Sequence, residues 1–91
     1  MSKWTESARH QQCQVGLPGC EVHQAVLAHI RRQWNAGTAL KPPDYMGTFA
    51  CDPCHAKLDR RTPGLTQAEI DEAFLDGHLK TLKIWESMGF L

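Results

Sequence analysis

A small α+β domain stapled by a metal is the fold class the sequence predicts, on three observations. Four cysteines fall in two pairs, Cys13/Cys20 and Cys51/Cys54. Two short stretches of strand length, 24–31 and 45–50, lie between them, and an amphipathic stretch of about 66–88 follows. Ninety-one residues fit one domain spanning 1–91, whose core is small enough that a staple is expected.

The elements follow in chain order. Residues 1–12 are polar and read as a short helix or a loose arm, with Trp4 as its anchor. Pro18-Gly19 marks a turn that lets Cys13 and Cys20 face one point. Gln24 to Arg31 is apolar enough for a strand, with a helical turn as the alternative. Asn35-Ala36-Gly37 and Lys41-Pro42-Pro43-Asp44 break the chain into a loop over 33–44. Tyr45 to Ala50 reads as a second strand. Cys51 and Cys54 open a helix expected to run to about Arg61, which Thr62-Pro63-Gly64 ends. Thr66-Gln67-Ala68-Glu69 is a capping box. Ile70, Phe74, Leu82, Trp85 and Met88 then recur at helical spacing, and Gly89 can cap the end. Asp76-Gly77 inside this stretch suggests two helices meeting at a turn, their apolar face packed on the hairpin.

Composition limits the function classes. Met1 to Glu6 has no apolar core of a signal peptide, so a cytoplasmic protein is expected, where cysteine pairs hold metal more often than they form disulfides. No apolar run approaches the roughly 18 residues of a membrane span, so no membrane partner is expected. Net charge is zero, but residues 1–63 carry eight Lys/Arg against five Asp/Glu, and residues 64–91 carry two against five. Arg31, Arg32, Lys41, Lys57, Arg60 and Arg61 lie near the proposed metal region and could form a phosphate-facing patch; ordinary solvated charges are the alternative.

Thiolates suit tetrahedral zinc, and a two-residue spacer lets one turn deliver two sulfurs, as in Cys51-x-x-Cys54. The wider Cys13/Cys20 spacing is less specific, and His23 could replace Cys20. Free thiols and disulfides are the competing readings. A zinc closed by four thiolates is structural and leaves no position for chemistry. Two further histidines exceed what such a site needs, and they point to a metal-dependent nuclease of the ββα-metal type. His55 follows the last cysteine and shares a helix face with Asp59, four residues on. Together they could offer a nitrogen and an oxygen to a divalent ion. His29, on the first strand, could face the same place and take a proton from water, and Asp44 could orient His29 or reach the ion. The plainer alternatives are a satisfied strand histidine, a polar residue at a helix start and a solvated aspartate. His10, His23 and His78 have no partner at a telling spacing and read as surface residues.

The series Cys13-Gln14-Val15, Val26-Leu27-Ala28-His29-Ile30-Arg31, Lys41-Pro42-Pro43-Asp44, Ala50-Cys51-x-x-Cys54-His55 and Asp59-Arg60-Arg61 resembles the phage and prophage nucleases of the Rap/YbcO type, over about residues 5–88. The resemblance implies an HNH, treble-clef architecture in which a β-hairpin and a helix clasp a metal. It implies structural zinc on the four cysteines, His29 as general base and His55 as ligand of a catalytic Mg2+ or Mn2+. The chain departs from the HNH pattern at Ala28, where many such sequences carry Asp or His. It also lacks the middle Asn, for which Asp44 is the nearest polar residue. The implied activity is hydrolysis of DNA phosphodiesters, on branched or single-stranded recombination intermediates. A non-catalytic, zinc-stapled nucleic-acid-binding module is the second reading, using Arg31, Arg32, Lys57, Arg60 and Arg61. A protein-interaction adaptor using the acidic C-terminal helix is the third. A homodimer is possible on any of them.

Overall fold

The structure, a computed structural model, describes residues 3–21, 24–29, 43–59 and 64–91. The elements are α1 (Lys3–Ser7), β1 (Val26–His29), a single 3-10 turn (Asp44–Met46), β2 (Gly47–Ala50), α2 (Asp52–Leu58) and α3 (Gln67–Ser87). The two strands form an antiparallel ladder that pairs Val26 with Ala50, Leu27 with Phe49, Ala28 with Thr48 and His29 with Gly47.

Both strands are shorter than expected, for local reasons. Gln24 has φ 57°, a left-handed conformation that cannot extend a strand, so β1 starts at Val26. The strand expected from Tyr45 begins at Gly47 instead. Pro43, fixed at φ −59°, starts a turn closed by Met46 N–H donating to the Pro43 carbonyl at 3.1 Å. Gly47 is needed where β2 begins, because a Cβ there would lie 2.7 Å from Leu27 Cδ1 and 2.9 Å from the Ala28 carbonyl oxygen.

β2 is buried along its whole length, and among the described residues its free edge is sealed by two side chains and one backbone N–H rather than by a third strand. Phe49 N–H donates to Thr81 Oγ1 at 3.0 Å, and the Phe49 carbonyl accepts from Gln14 N–H at 2.8 Å. The Gly47 carbonyl is 2.6 Å from His78 Nδ1. α3 therefore lies along β2 and supplies two of these three partners, His78 and Thr81, three residues apart on one helix face.

α3 is one continuous helix, not two meeting at Asp76-Gly77. Gly77 is a contact point: a Cβ would meet Thr48 Oγ1 at 2.5 Å and Val15 Cγ2 at 3.1 Å. The capping box forms in full, with Glu69 N–H donating to Thr66 Oγ1 at 3.1 Å and Thr66 N–H donating to Glu69 Oε1 at 2.9 Å. At the other end Phe90 N–H donates to the Trp85 carbonyl and Gly89 N–H to the Glu86 carbonyl, with Gly89 at φ 81°. That is the Schellman arrangement. Met88 lies outside the buried stripe and is exposed.

Among the described residues the core has two parts. One surrounds the cysteines: Ala28, Ala50, Cys51, Cys54, Leu58, Ile70 and Phe74. The other holds Ala8, Ala25, Leu27, Phe49 and Trp85. Trp4 anchors α1 to this second part, packing edge-on against Trp85 at 4.8 Å and Phe90 at 5.2 Å. Trp85 Nε1–H donates to Ser7 Oγ at 2.7 Å. Among the described residues, no helix is long and apolar enough to cross a membrane.

Candidate metal centre and histidine–aspartate pairs

The sulfurs of Cys13, Cys20, Cys51 and Cys54 all lie within 4.8 Å of one another. Cys20 Sγ and Cys51 Sγ are 3.7 Å apart. Zinc–sulfur bonds of about 2.3 Å at tetrahedral angles separate the sulfurs by about 3.8 Å, so this donor set can hold a metal such as zinc. No two of the four are joined as a disulfide. The wide Cys13/Cys20 loop closes because Gly16 and Gly19 take left-handed φ of 69° and 86°, and Cys20 N–H donates to the Leu17 carbonyl at 3.0 Å. Lys57 Nζ donates to the Pro18 carbonyl and ties this loop to α2. Cys51 Sγ accepts Glu21 N–H at 3.4 Å.

The thiols differ in their ease of ionisation. Burial pushes Cys13 up, but N–H donors from Gly16, Cys51 and Val15 outweigh it and bring the thiol down to about 7. Burial pushes Cys54 well above the ordinary thiol range, and its contact with Cys51 adds to the rise. A cluster with one ready thiolate and one buried thiol needs a cation to ionise fully, as expected of a metal-binding set. His23, the alternative ligand, lies outside the described residues.

His29 ends β1 and pairs across the ladder with Gly47. Its Nε2 is 2.6 Å from Asp44 Oδ1, and the two side chains are only 15% and 21% exposed. Asp44 Oδ2 is 3.5 Å from Thr5 Oγ1 of α1. The second pair lies on α2, where His55 Nε2 is 3.1 Å from Asp59 Oδ2. α2 stops at Leu58 rather than near Arg61, and Asp59 is its C-cap, with its N–H donating to the His55 carbonyl at 3.0 Å. The i, i+4 spacing still brings the two side chains together.

The structure therefore joins His29 to Asp44 and His55 to Asp59. Among the described residues, no third His, Cys, Asp or Glu joins either pair at ligand spacing. Of the basic residues singled out, Lys57 is engaged at Pro18, while Arg31, Arg32, Lys41, Arg60 and Arg61 lie outside the described residues. His78 is not the surface residue the sequence suggested: it is half-buried on the Gly47 carbonyl. Its position three residues before the buried Thr81 was the available signal, but polar residues on an apolar stripe look like irregularities until the strand edge they seal is known.

Similarity to known proteins extends over nearly the whole chain. The model of the family described as "Putative nuclease YbcO" matches residues 2–90. The chain is 38% identical over 94 residues to "Putative nuclease YbcO" of Escherichia coli (strain K12), covering 100% of this chain and 98% of that protein. It is equally similar, over the same span, to the protein of that name from Enterobacteria phage 82. A solved structure described as a "putative bacteriophage protein" from Escherichia coli str. K-12 substr. MG1655 matches with TM-score 0.77 at 39% identity, over 93% of this chain and 98% of its own. The chain belongs to the family described as "Putative nuclease YbcO".

Proposed function

We propose that the protein is a metal-dependent DNA endonuclease of the ββα-metal, HNH-like type, working in the cytoplasm as one domain over residues 1–91. The observation that carries this reading is the 2.6 Å contact between His29 Nε2 and Asp44 Oδ1. If Asp44 accepts the Nε2 proton, the lone pair of the neutral ring is left on Nδ1, the tautomer a general base requires. His29 would draw a proton from water as its oxygen attacks the phosphorus of a DNA phosphodiester. Asp44 would then stabilise the imidazolium formed.

His55 and Asp59 are the residues proposed to hold the catalytic ion. Adjacent octahedral donors at about 2.1 Å from Mg2+ sit about 3 Å apart, which the 3.1 Å between His55 Nε2 and Asp59 Oδ2 fits. Bound there, Mg2+ or Mn2+ would supply positive charge to the phosphate and the leaving oxygen. Zinc on Cys13, Cys20, Cys51 and Cys54 would hold the treble clef together. Arg31, Arg32, Lys57, Arg60 and Arg61 would meet the DNA backbone, on branched or single-stranded recombination intermediates of phage or prophage DNA.

Cleavage of supercoiled and branched DNA with Mg2+ or Mn2+ tests the reading. The expected result is cleavage by the wild type, with His29→Ala slower by about 100-fold or more. Unchanged cleavage by a clean His29→Ala preparation overturns the base assignment. A second reading is a zinc-stapled DNA-binding module without catalysis. It is favoured by Ala28, which stands where many HNH sequences carry the Asp or His that binds the catalytic ion. Salt-sensitive DNA binding with no cleavage under any divalent ion would decide for it. Pairing of two copies, which would let each cut one strand, is tested by sedimentation with and without DNA.

A further inference from the structure

The residue after Asp44 is Tyr45, a large aromatic that is 51% exposed. It occupies the same 3-10 turn that presents Asp44 to His29. Its ring is backed from one direction by Trp4, edge-on at 6.5 Å. Trp4 is itself wedged against Trp85 and Phe90, so the backing is part of the core rather than a loose arm. Lys3 Nζ lies 4.9 Å from the ring centres of both Trp4 and Phe90, which keeps a cation on the same aromatic cluster.

We propose that Tyr45 is a stacking platform for an unpaired nucleobase next to the phosphate that His29 would serve, with Lys3 facing a neighbouring phosphate. The inference rests on the nuclease reading and adds to it a residue that would select an unstacked nucleotide within the branched or single-stranded DNA proposed above. An aromatic face is useful here because every base has a π-face, while a base inside a duplex is already stacked on its neighbours. The backed ring loses little freedom on binding, which makes the contact effective from a single side chain. Asp44 repels phosphate, while the Tyr45 ring and the Lys3 cation, both on Trp4, are favourable to a nucleotide.

The test is binding without catalysis. Zinc-loaded protein, with no Mg2+ or Mn2+ present, is titrated against a short single strand carrying 2-aminopurine, and against the same strand in a duplex. Wild type and Tyr45→Phe should bind the single strand more tightly than the duplex and quench the fluorophore. Tyr45→Leu should lose affinity for the single strand by about 5- to 160-fold and lose the quenching. Lys3→Ala should lower the salt slope by about 0.7. Circular dichroism and zinc content establish that each variant is folded.

Equal single-strand affinity for Tyr45→Leu and wild type, or duplex bound as tightly as single strand, overturns the platform. Measuring binding without divalent ions and cleavage with them, on the same preparations, separates the two proposals. Tyr45-dependent binding without cleavage under any divalent ion keeps the platform and removes the nuclease. Cleavage lost only in His29→Ala, with Tyr45→Leu indifferent in binding, keeps the nuclease and removes the platform.

Discussion

Individual residues in this chain are decided by what lies across from them. Gly77 sits in the middle of a 21-residue helix, where Ala is the better helix former by about 1 kcal/mol. The Cβ of Gly77→Ala would come 2.5 Å from Thr48 Oγ1, in a side chain with no exposed surface and no room to move. Overpacking of this kind costs about 1–3 kcal/mol, so it should outweigh the propensity gain. The expected result is a lower denaturation midpoint for Gly77→Ala, and an unchanged or higher midpoint would show that β2 can give way. Asp44 is decided in the same manner. Asp44→Asn can still fill the space beside His29, but it loses the charge that would stabilise the imidazolium. Cleavage should fall with binding of DNA retained, a split read by measuring kcat and KM separately. From the sequence alone, Asp44 stands out as a candidate partner of His29. His78 does not, because the group it serves is a backbone carbonyl with no trace in the side-chain pattern.

At the scale of elements, α3 carries its own start and stop. Thr66→Ala removes the oxygen that accepts Glu69 N–H, and a lost cap of this kind costs about 1 kcal/mol. The reciprocal bond from Thr66 N–H holds the Glu69 carboxyl below its ordinary value. The lowered carboxyl favours the folded state when ionised, so its contribution is present at neutral pH and is lost as pH falls through the carboxylate range. Glu69→Gln, which keeps an acceptor for that bond and removes the titrating charge, should therefore flatten the acid limb of the stability curve, measured by denaturation at neutral pH and near pH 4. This helix was legible because its signals are local: capping box, apolar period and terminal glycine all lie within one stretch. The hairpin was less so. Short apolar runs suit strand or helix alike, and the ends of β1 and β2 were set by φ at Gln24 and by the Pro43 turn.

For the molecule as a whole, the cysteines and the helix are one structure. Cys51 and Cys54 are buried within the same core cluster as Ile70 and Phe74 of α3, so a metal held there would brace the packing. One zinc per chain is the expected stoichiometry. A strong chelator or Cys54→Ser should unfold the cysteine-centred part of the core, since metal binding and folding are coupled in small domains. Retention of native backbone amide protection around Cys51–Leu58 after verified zinc removal would count against that role. Acid should act in the same direction as chelator, because protons compete with the metal for the thiolates. The second cluster, around Trp85, contains no cysteine and should keep more of its structure.

By itself the sequence determined the α+β class, the pairing of four cysteines into one candidate site, the capped C-terminal helix and the family. Each is written in residue type and spacing, which survive without coordinates. Only the tertiary structure decided that α3 runs unbroken past Gly77, that His78 and Thr81 seal the edge of β2, and that His29 and His55 each take their own aspartate. Those outcomes depend on which surfaces meet after the chain has folded, and a backbone edge or a missing Cβ acquires its meaning only from the neighbour it faces.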